Sequence, residues 1–273
     1  MLRHVNAPDG VRIACEVSGT GPALVCVHGA GSARWGFDLL RPLLEPRFTV
    51  VAVDRRGRGD SEDGGAYRLE SEFNDVAAVV RAMEDEGGAP VNLFGHSYGG
   101  LVAANAAPVL GGLRALILYE PPMGGVLAPG QVGRWRDLVD EGRREQMVEE
   151  FLCDIGGYTP AEVEALKQTP LWEGRLAVAP TVPRELEAEQ DHRLDRAALG
   201  RLTAPSLLLV GSASPDWALR STDAYAGAIE GASVRRLEGQ GHGALAAAPQ
   251  LVAAEIEEFL GGRDAVRPPA GGD

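Results

Sequence analysis

The stretch VNLFGHSYGGLVAANAA, residues 91–107, holds three signals in succession. Residues 91–94 are a short apolar run with the length of a buried strand, and Leu101 to Leu110 can form a helix. Between them Gly95, Ser97 and Gly99 make the pattern G-x-S-x-G. A turn from strand to helix that tight needs very small residues beside the serine and drives the serine itself into strained dihedrals. It also leaves backbone N–H groups pointing at the front of the hydroxyl, where an oxyanion can be held. The glycines make the turn, and the turn presents Ser97.

Outward from this point, strand-like runs alternate with helical periodicity. Strands are predicted at 11–17, 23–27, 48–53, 113–119, 206–210 and 233–237. Glu70 to Glu86 carries Phe73, Val76, Ala77, Val80 and Met83 at helical spacing, and further helices are expected over 218–229 and 249–260. Such alternation implies an α/β fold with a largely parallel sheet covered on both faces, whose ligands bind beyond the carboxyl ends of the strands. Residues 121–202 break the pattern. They hold no convincing strand, and 131–152, 160–168 and 182–193 read as helices. The expected organisation is a core domain from 1–120 and 203–261, a helical cap or lid from 121–202, and a disordered tail over 262–273.

Composition narrows the function. The chain has 273 residues, 45% hydrophobic and 24% charged, enough for a sizeable core. A formal charge of −13 argues against nucleic acid or anionic lipid as partners. The three cysteines are far apart and suggest neither a disulfide framework nor a metal site, and no cofactor is called for. The amino terminus lacks an apolar signal core and no stretch approaches membrane-span length, so a cytoplasmic protein with no membrane partner is expected. No motif specifies an oligomeric state.

Four segments in order carry a resemblance: VHGAG (27–31), DRRGRGDS (54–61), GHSYGG (95–100) and GQGHGA (239–244). Together they resemble the α/β-hydrolase fold of the lid-bearing serine esterase and lactonase type, over residues 2 to 261. The resemblance implies a mostly parallel eight-stranded sheet with flanking helices and an inserted helical cap. It makes Ser97 the nucleophile of a nucleophile elbow and His242 the base that takes its proton. It assigns the oxyanion hole to the backbone N–H groups of Ala30 and Tyr98. His28 and His96 take structural roles, Trp35 is a candidate wall of the substrate pocket, and Arg58-Gly59-Asp60 belongs to a structural loop rather than to an adhesion motif.

The acid departs from the family pattern. The usual G-x-x-D aspartate position is occupied by Ser214, in Gly211-Ser212-Ala213-Ser214. Two carboxylates compete for the role. Glu120 directly follows the apolar run 113–119 and precedes two prolines, an arrangement resembling one branch of the haloalkane dehalogenases. Asp216, after Pro215, is the alternative. Glu120 is the first choice.

A serine at the elbow, where dehalogenases and epoxide hydrolases resemble one another in using aspartate, implies acyl transfer through an acyl-enzyme on a small-molecule ester or lactone. The same triad serves C–C bond hydrolases, amidases, perhydrolases and acyltransferases. A non-catalytic small-ligand receptor on this fold is the reading from another class. Trp135, Phe151, Leu152, Tyr158, Leu171 and Trp172 of the cap are candidates to line the pocket, with two or three of them expected to touch substrate.

Overall fold

The apolar runs bracketing Ser97 become the middle of a sheet because their side chains are buried on both faces. A computed structural model describes residues 1–125 and 127–264, with side chains described through residue 261. In chain order the first half contains β1 (Leu2–Asn6), β2 (Arg12–Gly19), β3 (Ala23–Val27), α1 (Arg41–Leu44), β4 (Thr49–Val53), α2 (Leu69–Gly87), β5 (Asn92–His96), α3 (Tyr98–Ala106) and β6 (Ala115–Tyr119). Six helices follow without a strand among the described residues: α4 (Gln131–Asp140), α5 (Arg144–Asp154), α6 (Pro160–Lys167), α7 (Leu171–Val178), α8 (Val182–Gln190) and α9 (Arg196–Leu199). The chain then returns to the sheet with β7 (Ser206–Gly211), α10 (Asp216–Ala226), β8 (Ser233–Leu237), α11 (Ala244–Ala247) and α12 (Pro249–Asp264).

The eight strands form one sheet in the order β1-β2-β4-β3-β5-β6-β7-β8. β1–β2 and β2–β4 pair antiparallel, and every later pair is parallel. This is the α/β-hydrolase architecture expected from the sequence. Successive residues of the central strands go to opposite faces. Val25, Leu93, Leu116 and Leu208 join α2, α3 and α10 in one core, while Leu24, Phe94, Ile117 and Leu207 join Phe37, Leu44 and α12 in the other. Fully burying each such side chain contributes about 1.5–3 kcal/mol, so both layers anchor the sheet beneath the site.

The differences from the predicted elements have local causes. β1 was not predicted: its side chains alternate between exposed and half-buried, so no apolar run marks it. The helix expected over 131–152 is two helices, broken where Gly142 adopts φ +78° between α4 and α5. α12 runs through Asp264, three residues into the segment expected to be a tail, and residues 265–273 of that segment lie outside the described residues. The edge strand β8 carries Arg235 and Arg236. Arg235 pairs with Glu255 and Glu258 of α12, a charged edge of the kind that resists pairing with another sheet.

Helices α4 to α8 enclose an apolar cluster of their own, centred on Trp135, Met147, Phe151, Trp172 and Val182. This block is tied to the sheet by charge. Buried Glu185 of α8 pairs with Arg55 at 2.8 Å and with Arg58, and both arginines also contact Glu72 of α2. Burial alone would raise the Glu72 pKa, but Arg55 and Arg58 outweigh it and hold the carboxyl below its ordinary value. Burial pulls Arg58 down to about 10. Arg58 is therefore a core residue, and the Arg-Gly-Asp tripeptide that contains it is not displayed as a unit.

Candidate active site

Ser97 sits between β5 and α3 with φ 53° and ψ −126°. The glycines around it are dictated by contact. A Cβ on Gly99 would lie 2.2 Å from the Val27 carbonyl oxygen, and one on Gly95 would lie 2.4 Å from the Gly99 carbonyl oxygen. The Ser97 amide donates to Tyr119 O at 2.8 Å, locking the turn to β6. The amides of Ala30 and Tyr98 donate to no described residue, so both are available as hydrogen-bond donors.

Glu120 directly follows β6 and is fully buried. Its Oε2 is 2.5 Å from His242 Nδ1. Its Oε1 accepts from the Gly211 amide at 2.7 Å and from the Ser214 hydroxyl. Ser97 and Glu120 are the two non-glycine residues with positive φ among those described, 53° and 48°. Such conformations cost on the order of 1–3 kcal/mol each and persist only where surrounding structure imposes them. Here the Glu120 amide is held by Leu209 O at 3.1 Å, and the Pro121 and Pro122 carbonyls accept from Ser221 and Tyr225.

His242 lies in the loop between β8 and α11, and three side chains fix that loop. The Tyr119 hydroxyl donates to Gly241 O. His96 donates from Nε2 to His242 O at 3.0 Å and lies with its ring centroid 4.8 Å from that of His242. Trp217 meets the His242 ring edge-on at 5.1 Å. Burial keeps the His96 pKa well below its ordinary value, so this neighbour is uncharged. His28 behaves similarly behind the Ala30 loop: burial first, then the charges of Arg55 and Arg58, hold it neutral. It donates from Nδ1 to Gly29 O at 2.8 Å and accepts from the Arg55 amide on Nε2 at 3.2 Å.

The structure brings Ser97, His242, Glu120, Ala30, Tyr98 and Trp35 to one end of the sheet, but not Asp216. Pro215 precedes α10 with extended backbone, and Asp216 opens the helix with its side chain 89% exposed, facing Arg220 at 4.0 Å. In this placement the His242 ring contacts Glu120 and not Asp216.

Two lobes meet at Ser97. The larger, about 360 Å³, is lined by Ser97, His242, Trp35, Tyr158, Leu171 and Arg175 among others. Arg175 lies over the Trp35 ring and donates to Gly31 O at 3.0 Å. Of the six cap residues singled out in the sequence, Phe151, Leu152, Tyr158 and Leu171 line this lobe, whereas Trp135 and Trp172 pack within the helical block. The smaller lobe, about 20 Å³, is lined by Ser97, Ala30, Tyr98, Leu186, Trp217 and Glu189. Sequence reasoning missed Glu189, the contact of Trp217 with His242 and the contact of Ser214 with Glu120. No sequence signal marked Glu189, because an acidic residue on an amphipathic helix ordinarily faces water.

Among the described residues no group of three or more His, Cys, Asp or Glu is arranged to hold a metal ion, and no helix is long and apolar enough to cross a membrane.

Residues 24–255 match the sequence model of the alpha/beta hydrolase family. An alpha/beta hydrolase from Sphaerobacter thermophilus is 35% identical, superposes with a TM-score of 0.82, and aligns over 94% of this chain and 99% of its own. The esterase RhEst1 from a Rhodococcus species is 22% identical with a TM-score of 0.76, over 95% of this chain and 98% of its own, a likeness of fold. A probable oxidoreductase EphD of Mycobacterium tuberculosis is 38% identical over 104 residues, 36% of this chain. That match spans only 17% of the mycobacterial protein's length.

Proposed function

This chain belongs to the α/β-hydrolase family, and we propose that it is a serine hydrolase cleaving a small carboxylic ester or lactone through an acyl-enzyme. Ser97 is the nucleophile. His242 takes the Oγ proton on Nε2 as Oγ bonds to the carbonyl carbon. Glu120 accepts from the opposite ring N–H, selecting the productive tautomer and stabilising the imidazolium. The Ala30 and Tyr98 amides hold the oxyanion of the tetrahedral intermediate. As that intermediate collapses, the carbonyl re-forms, the bond to the leaving oxygen breaks, and His242 returns the proton to the leaving alcohol. Water, deprotonated by the same imidazole, then attacks the acyl-enzyme, and Ser97 recovers its proton as the carboxylic acid leaves.

The observation that carries this reading is the contact of Glu120 Oε2 with His242 Nδ1, at the edge of a cavity that Ser97 also lines. Neither Ser97 Oγ nor His242 Nε2 has a hydrogen-bond partner among the described residues, so both are available to substrate. Residues 121–202 act as the cap, closing the larger lobe from above and choosing the alcohol portion by shape. The test is hydrolysis of p-nitrophenyl acetate and butyrate by the chain and by Ser97→Ala. Turnover abolished by Ser97→Ala, with circular dichroism unchanged, is expected. Turnover that survives the substitution overturns the assignment.

A further inference from the structure

Glu189 is a buried carboxyl that the proposed mechanism does not use. It lies four residues after Glu185 on α8, so both face the sheet, but their situations differ. Glu185 is paired with Arg55 and Arg58, whereas the Glu189 carboxyl, in a residue only 5% exposed, has no hydrogen bond or ion pair among the described residues. A polar group buried without a partner is strongly unfavourable unless something else supplies one. The side chain lines the smaller lobe beside Ser97, and the other side chains there include Leu186, Pro122, Ile155 and Trp217.

The two lobes are chemically unequal. His242 lines the larger lobe and not the smaller one. The group that protonates the leaving oxygen must lie within reach of it, so the alcohol portion occupies the larger lobe and the acyl portion turns toward the smaller. At about 20 Å³ the smaller lobe has room for roughly one water-sized group. What reaches Glu189 is therefore a single small substituent of a short acyl group, such as a hydroxyl.

We propose that Glu189 is a specificity-determining residue whose carboxyl hydrogen-bonds the hydroxyl of a short hydroxyacyl group, making small hydroxy-acid esters the favoured substrate class. Burial raises the Glu189 pKa to about 8, so near neutrality the carboxyl keeps its proton. A neutral carboxyl both donates and accepts, and a hydroxyl can satisfy both functions at once. A plain acyl chain in the same place leaves the carboxyl unpartnered. This assignment rests on the acyl-enzyme reading for which portion of the substrate enters which lobe.

The test compares benzyl lactate with benzyl propionate, which share an alcohol and differ by one acyl hydroxyl. Binding of each to the full chain carrying Ser97→Ala is measured by calorimetry, and kcat/KM is measured on the unsubstituted chain. The lactate ester is expected to bind about tenfold tighter, and kcat/KM to favour it by a similar factor. Adding Glu189→Leu should bring the binding ratio to near one while benzyl propionate still binds, and Glu189→Gln should retain most of the preference. Equal binding of the two esters to Ser97→Ala, or a preference that survives Glu189→Leu, overturns the proposal. If neither ester is hydrolysed yet the binding ratio holds and depends on Glu189, the hydrolase reading fails and the role of Glu189 stands.

Discussion

The Ser214 hydroxyl donates to Glu120 Oε1, the carboxylate oxygen turned away from His242. The serine occupies the position where the family pattern has its acid, and here it holds a carboxylate that enters from the end of the neighbouring strand. Removing the hydroxyl leaves Oε1 with the Gly211 amide alone. Ser214→Ala should lower kcat/KM about three- to tenfold, the equivalent of one ordinary hydrogen bond, with little change in KM. Steady-state kinetics on p-nitrophenyl butyrate would show it, and an unchanged kcat would remove Ser214 from the positioning of Glu120.

Glu120→Gln should reduce kcat by about 10⁴-fold, because the imidazole loses both its tautomer control and its counter-charge. Asp216→Asn should stay within about twofold, since that side chain faces solvent and Arg220. Collapse with Asp216→Asn alone would transfer the acid role to a residue that must then move to reach His242.

Glu185 neutralises two buried arginines at once. Glu185→Ala should cost roughly 3–5 kcal/mol in urea unfolding, because it leaves Arg55 and Arg58 with Glu72 as their shared carboxylate. Since Arg55 also donates to Gly29 O beside Ala30, any turnover of p-nitrophenyl butyrate should fall before global unfolding begins. Coincident loss of activity and fold would make the contact purely architectural.

Gly99→Ala should prevent the elbow from forming, as its Cβ would meet two backbone oxygens, Val27 O at 2.2 Å and His28 O at 2.5 Å. Neither can retreat without breaking the end of β3. Loss of soluble folded protein is expected, and a folded, active Gly99→Ala enzyme would contradict the tightness of the turn.

Glu189 should make stability fall as pH rises. Burial raises its pKa from 4.5 to about 8 in the folded chain, so between those values the unfolded chain is ionised while the folded chain holds the proton. The folded state therefore binds more protons, and stability declines across that window, with the full loss present above it. Glu189→Gln removes the titration and should be more stable than the parent by roughly 3–5 kcal/mol near pH 9, with the difference shrinking toward pH 5. Denaturant midpoints at pH 5, 7 and 9 would measure it, and parallel curves for the two proteins would mean that Glu189 does not titrate there.

What the sequence alone determined is what depends on neighbours along the chain. Alternating apolar runs and helical periodicity specified the α/β class, because burial on both faces of a parallel sheet leaves a continuous apolar signature. G-x-S-x-G specified the turn at Ser97, because its crowding arises within a few residues. β1 escaped because an edge strand exposes half its side chains and leaves no such run. The tertiary structure alone decided which carboxylate meets His242. Glu120 and Asp216 were both credible from their surroundings in sequence. The contact followed from how β6 and β7 register, with Tyr119 opposite Leu209, and from Asp216 facing solvent at the start of α10. The fate of Glu189 was equally invisible, since an acidic residue on an amphipathic helix ordinarily faces water. Only the docking of α8 through Glu185 onto Arg55 and Arg58 turns it toward Ser97, because desolvation is a property of the assembled fold and not of any segment within it.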